Sequence, residues 1–155
     1  MKKIQLGLFI LIAWITLSCD SNRVYERNID FINENWHKDS ILQFDLEILD
    51  SNAVYHVYLN NRISGAYKYS NLYLFVTTEL PHNGKLRDTI ECVLADPNGK
   101  WLGKGYGNIW SNQIPYKKNM RFPYTGKYSI YLEQAMRDHE LSHIASAGIR
   151  IEKAK

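Results

Sequence analysis

Ile41-Leu42-Gln43-Phe44-Asp45-Leu46-Glu47-Ile48 is the stretch that decides the fold: Leu42, Phe44, Leu46 and Ile48 alternate with Gln43, Asp45 and Glu47. Successive side chains on a strand point to opposite faces, so a period of two with one wet face is the pattern of a half-buried β-strand. Further along, Asn71 to Leu80 sets Leu72, Leu74 and Val76 against Tyr73, Phe75 and Thr77. Two largely apolar faces predict a central strand. Val54–Leu59, Arg87–Ala95, Gly126–Gln134 and Gly148–Glu152 are further strand segments, with Tyr128, Ile130 and Leu132, then Ile149 and Ile151, on single faces. Asp96-Pro97-Asn98-Gly99-Lys100 is a turn, because Pro97 presets φ for its first corner and Gly99 tolerates the left-handed position. No long stretch keeps a helical period. Short strands separated by turn chemistry predict an all-β, single-domain β-sandwich over residues 39–155. Immunoglobulin-like and jelly-roll-like orders both remain open at this point.

Upstream of the strands the chain changes character. Met1-Lys2-Lys3 is a cationic start, followed by the apolar run Ile4 to Ile15. Twelve helical residues span about 18 Å, short of the roughly 30 Å hydrocarbon core, so the run reads as a signal h-region and not as a membrane span. It ends at Thr16-Leu17-Ser18-Cys19 and turns polar at Asp20-Ser21-Asn22-Arg23. A small residue before a cysteine at that place resembles a lipobox, although Thr16 stands where leucine is usual. The expectation is a signal peptide over residues 1–18, lipidation (palmitate-type acylation) at Cys19, and a tether and N-terminal loop over residues 19–38. Val24, Tyr25, Phe31 and Trp36 are the residues able to pin the far end of that loop onto the domain.

Charge narrows the partners. The chain has 155 residues and a formal charge of +3, and losing Lys2 and Lys3 leaves 17 basic against 16 acidic residues. Nucleic-acid binding needs a concentrated stripe of cations, and these are scattered. The second cysteine, Cys92, lies in the apolar segment Thr89-Ile90-Glu91-Cys92-Val93-Leu94 and reads as a small buried hydrophobe without a disulfide partner.

Three motifs invite chemistry. His139-Glu140-Leu141-Ser142-His143 is formally H-E-x-x-H, which on a helix binds zinc with the glutamate as base. Only 12 residues follow it and they read as a strand, so a polar loop joining the last two strands is favoured over a zinc hydrolase, and no metal ligands or cofactor are assigned. Gly103-Lys104-Gly105-Tyr106-Gly107 lacks the third glycine of a dinucleotide loop, since Asn108 stands there, and reads as bends in an irregular crossing. The segment Lys100 to Lys118 also gathers Trp101, Tyr106, Trp110 and Tyr116. Core packing is the ordinary use of such rings. Exposed, Trp101, Tyr106 and Trp110 are candidates for a partner-contact face, with carbohydrate stacking the competing use. No pair of carboxylates stands out as a glycosidase acid and nucleophile.

Several stretches carry a family resemblance. Cys19 to Tyr25, Tyr69 to Thr77, Asp88 to Cys92, Leu94 to Gly105, Arg121-Phe122-Pro123, Glu133 to Asp138 and Gly148 to Glu152 are similar to the GldH gliding-motility lipoproteins of Bacteroidetes. The run Leu94 to Gly105 is the most specific. The family is not histidine-rich at the place of His139 to His143, which weakens the zinc reading further. The resemblance implies a non-enzymatic, lipid-anchored accessory of the gliding machinery, associated with type IX secretion. It also implies other envelope proteins as partners, the membrane reached through the lipid on Cys19, and an outer-membrane location facing the periplasm.

Overall fold

The alternation in Leu42–Ile48 is carried into space as a strict buried-exposed row in a computed structural model that describes residues 20–154. Eleven strands follow in order: β1 (Arg23–Asp30), β2 (Asn35–His37), β3 (Leu42–Ile48), β4 (Tyr55–Ser64), β5 (Asn71–Glu79), β6 (Lys85–Val93), β7 (Lys104–Tyr106), β8 (Ile109–Met120), β9 (Gly126–Gln134), β10 (Glu140–Ser142) and β11 (Ile144–Lys153). One sheet has the order β1-β11-β4-β8-β7, a second β3-β9-β5-β6, and β10 pairs with β2 in a small ribbon. Every pairing is antiparallel.

The connectivity follows from how the pairs nest. β1 pairs with β11, β3 with β9, β4 with β8 and β5 with β6. The chain is therefore one long antiparallel hairpin reversing at the β5–β6 turn. It is rolled up so that β11 also meets β4, and β9 also meets β5. That is the jelly-roll order, which resolves the choice left open by the sequence. Phe44 and Ile48 from one sheet and Tyr55, Leu59 and Ile63 from the other belong to a single buried cluster between the layers. The predicted central strand, β5, does lie inside its sheet, with Leu72, Leu74 and Val76 buried. Gly99 adopts φ +80°, and the Asp96 carboxylate accepts from the backbone N–H groups of Asn98 and Lys100 at 2.9 Å each. Cys92 is fully buried and unpaired, and burial pushes its thiol up to about 12.

Three expectations need correction. Most of residues 23–37 is strand, not tether or loop: β1 completes the edge of the larger sheet, and β2, after a short 3-10 turn at Ile32–Glu34, pairs with β10. β1 was hidden because an edge strand needs little apolar surface, and only Tyr25 and Ile29 pack partly against the core. Trp36, in β2, is fully buried, stacks on Phe31 at 4.9 Å between centroids, and donates its indole N–H to the Ser40 carbonyl at 2.9 Å. The segment read as an irregular crossing holds β7 and the 12-residue β8. Here Asn112, Ile114 and Tyr116 turn inward between the exposed Ser111, Gln113, Pro115 and Lys117. Finally, Glu140–Ser142 is a strand and not a loop.

Candidate functional site

Strand registers divide the sandwich into two poles. At the first, Arg23 lies opposite Glu152, Lys153 opposite Tyr55, Tyr55 opposite Met120, and Ile48 opposite Gly126. The chain arrives there already fixed. Arg150, on the outward face of β11, contacts the Asp20 carboxylate and donates to Glu26 at 2.8 Å and Glu152 at 3.0 Å. The Arg150 side chain is 15% exposed, so its charge is neutralised by three carboxylates at the sheet surface. The Arg150 hydrogen bond holds the Asp20 carboxyl below the usual carboxylate range, and Asp20 in turn strengthens the hold on the Arg150 proton. Arg23 N–H donates to the Asp20 carbonyl at 3.2 Å, and Lys153 N–H to the Asn22 carbonyl at 2.8 Å. Asp20 and Asn22 are thus both tied to the last strand. Cys19, the predicted lipidation site, is the covalent neighbour of Asp20 and lies outside the described residues.

At the opposite pole Ser64 lies across from Ile109, and Asn71 across from Val93. The β7–β8 hairpin sits here, and it separates the three aromatic residues proposed as a contact face. Tyr106 is 92% exposed at the hairpin tip. Trp101 and Trp110 are half-buried against the core. Trp101 bridges to Ala95 in backbone pairing and lies 6.5 Å from the Tyr67 ring. The Trp110 ring lies across Gly105, where a Cβ would stand 2.8 Å from it. Gly107, with φ +59°, supplies the left-handed turn between the strands. The glycines of this segment thus serve a tight hairpin.

Leu102, 58% exposed beside this hairpin, was not singled out in the sequence, although an isolated leucine between Trp101 and Gly103 was the available signal. Arg150 was missed because its partner Asp20 stands 130 positions away. A lone cation at an outward position between Ile149 and Ile151 was its only trace.

Two other arrangements resemble sites. A shallow trough of about 720 Å³ runs over Asn28, Asn60, Arg62, Gln113, Val93 and Leu102, and none of the residues lining it is aromatic. Trp101, Tyr106 and Trp110 thus contribute nothing to this trough. Near the hairpin, His143 Nδ1 stands 3.3 Å from Ser64 Oγ and 4.0 Å from Glu34 Oε2. A serine–histidine relay needs nucleophile and acid on different ring nitrogens, and here both face the same one. His139 and His143 flank the strand β10, so the helical spacing that lets H-E-x-x-H grip a metal is not formed. Among the described residues no helix is long and apolar enough to cross a membrane.

Comparison with known proteins decides the kinship. The sequence pattern of the GldH lipoprotein matches residues 23–151, from the first strand to the last. The chain belongs to the GldH lipoprotein family. It is 40% identical over 157 residues to the gliding motility lipoprotein GldH homolog of Christiangramia forsetii, covering 96% of each chain. It is 34% identical over 154 residues to the gliding motility lipoprotein GldH of Flavobacterium johnsoniae, covering 95% of each. GldH is thus a family of lipoproteins tied by its named members to gliding motility, and not a known enzyme class. The GldH match begins at Arg23, the first residue of β1.

Proposed function

We propose that this GldH-family chain is a lipid-anchored, non-catalytic accessory of the gliding machinery. Acylated Cys19 holds one pole of the sandwich to the outer membrane, facing the periplasm. The opposite pole contacts other envelope proteins of the apparatus, which is associated with type IX secretion. The observation that carries the reading is the separation of the two ends. Asp20 is clamped by Arg150 on one pole, and the exposed Tyr106 hairpin stands on the other. Anchoring confines the chain to the surface where its partners reside, raising effective concentration without a strong interface.

Deleting the gene is expected to abolish colony spreading, and the Cys19→Ala form, exported but unacylated, to restore it poorly. Full restoration by Cys19→Ala contradicts the anchoring role. Replacing Tyr106 and Leu102 with serine leaves the core untouched, since both are exposed. The double variant is expected to reach the membrane yet lose partners on affinity purification. An unchanged set of partners excludes this face.

A further inference from the structure

A single peptide unit, about 3.8 Å between Cα atoms, separates Cys19 from Asp20. Asp20 is held by Arg150, and Asn22 is paired to Lys153. A lipid on Cys19 therefore leaves the fold almost no slack, whereas a flexible linker of about ten residues would add roughly 17 Å of root-mean-square reach. The pole that carries Asp20 must then meet the bilayer surface.

The registers show what else that pole presents. The turn after β3 leaves Leu49 82% exposed, and the turn between β8 and β9 leaves Tyr124 47% exposed. Lys118, Arg121 and Lys127 are exposed on the same pole and enter no ion pair among the described residues. Its carboxylates are largely engaged: Asp20 with Arg150, Asp50 with Lys153 at 3.4 Å and Glu79 with Lys85 at 3.1 Å. Glu47 stands opposite Lys127 across the β3–β9 pair. An aliphatic residue and a polar-tipped ring flanked by unpaired cations form a surface suited to the headgroup layer of an anionic bilayer. The opposite pole also exposes apolar side chains, Ile32 at 86% and Leu102 at 58%, and binds Lys68 to Asp138 at 2.5 Å, so it is the position of Asp20, and not composition alone, that turns the first pole to the bilayer.

We infer that Leu49, Tyr124, Lys118, Arg121 and Lys127 form a lipid-facing surface. It binds anionic headgroups and stands the sandwich upright, with the Tyr106 hairpin directed away from the membrane. The inference rests on acylation of Cys19 as proposed above.

The test uses the mature acylated protein in vesicles of phosphatidylethanolamine and phosphatidylglycerol carrying a headgroup-attached quencher. A fluorophore is placed on Asn52→Cys, Thr125→Cys or Tyr106→Cys, all exposed, while buried Cys92 stays unlabelled. Quenching is expected at 52 and 125 and not at 106. It is expected to fall in high salt and in the Lys118→Glu, Arg121→Glu, Lys127→Glu triple variant, each lost cation weakening headgroup attachment about fivefold. Equal quenching at both poles, or no change in the triple variant, overturns the inference while leaving acylation intact. Protein recovered from the cell envelope without acyl chains overturns both readings together.

Discussion

Asp88 in β6 joins the two sheets: the Tyr116 hydroxyl of β8 donates to its carboxylate at 2.5 Å, and Lys117 approaches at 2.9 Å. The hydrogen bond from Tyr116 and then that from Lys117 hold the Asp88 carboxyl below the usual range, while burial and the same carboxylate raise the Tyr116 phenol. A carboxylate whose pKa is depressed in the fold contributes stability above its unfolded value, about 3.9, and loses it as pH falls through the folded value. Asp88→Asn should therefore lower the denaturation midpoint at pH 7. The gap from the parent chain should close towards pH 3, as paired urea titrations at the two pH values will show. A gap independent of pH refutes the assignment. Trp36 makes a prediction of a different kind. Fully buried and stacked on Phe31, it should cost about 3–5 kcal/mol on truncation to alanine, read from the same titrations. That Phe31 and Trp36 pin their segment to the domain was readable in the chain, whereas the Tyr116–Asp88 bond was not. The sequence marks Tyr116 and Trp36 as rings, but the partners of one lie 28 positions away and the burial of the other depends on β10 closing over β2.

Among the elements, β3, β5 and β9 were legible because their side chains obey the pleat, with Leu42, Leu72 and Tyr128 each opening or joining an alternating buried row. β1 and β8 were not, since their place is fixed by backbone pairing at or beside a sheet edge, which polar sequences such as Glu26-Arg27-Asn28 can supply as well as apolar ones. The β7–β8 hairpin shows how a local motif is misread for the same reason. Gly103-Lys104-Gly105-Tyr106-Gly107 looked like bends, whereas the missing side chain of Gly105 is what admits the Trp110 ring. Gly105→Ala should therefore displace that ring and the Tyr106 tip together. The expected outcome is loss of partners on affinity purification with only a small fall in melting temperature. A variant that melts far earlier, or retains every partner, contradicts this account of the hairpin.

For the whole molecule, the distance between the poles is set by β8, whose 12 residues run from Met120 at the Asp20 end to Ile109 beside the hairpin. At about 3.3 Å per residue the hairpin stands roughly 35–40 Å from the pole that holds Asp20. A jelly roll suits this task because its nested hairpin brings the first and last strands together, so that Arg150 near the C-terminus can clamp Asp20 at the entry of the chain. Kinship to GldH lipoproteins was readable from contiguous stretches such as Leu94 to Gly105, whereas the polarity of the molecule was not, because it depends on registers between distant strands. Everything about that polarity requires an acyl group one residue ahead of the clamp. The most direct measurement is the intact mass and N-terminal peptide of the native protein extracted from membranes. The account predicts a mature chain beginning at Cys19 and carrying fatty acyl chains. A soluble chain, or one beginning elsewhere with an unmodified Cys19, would contradict it.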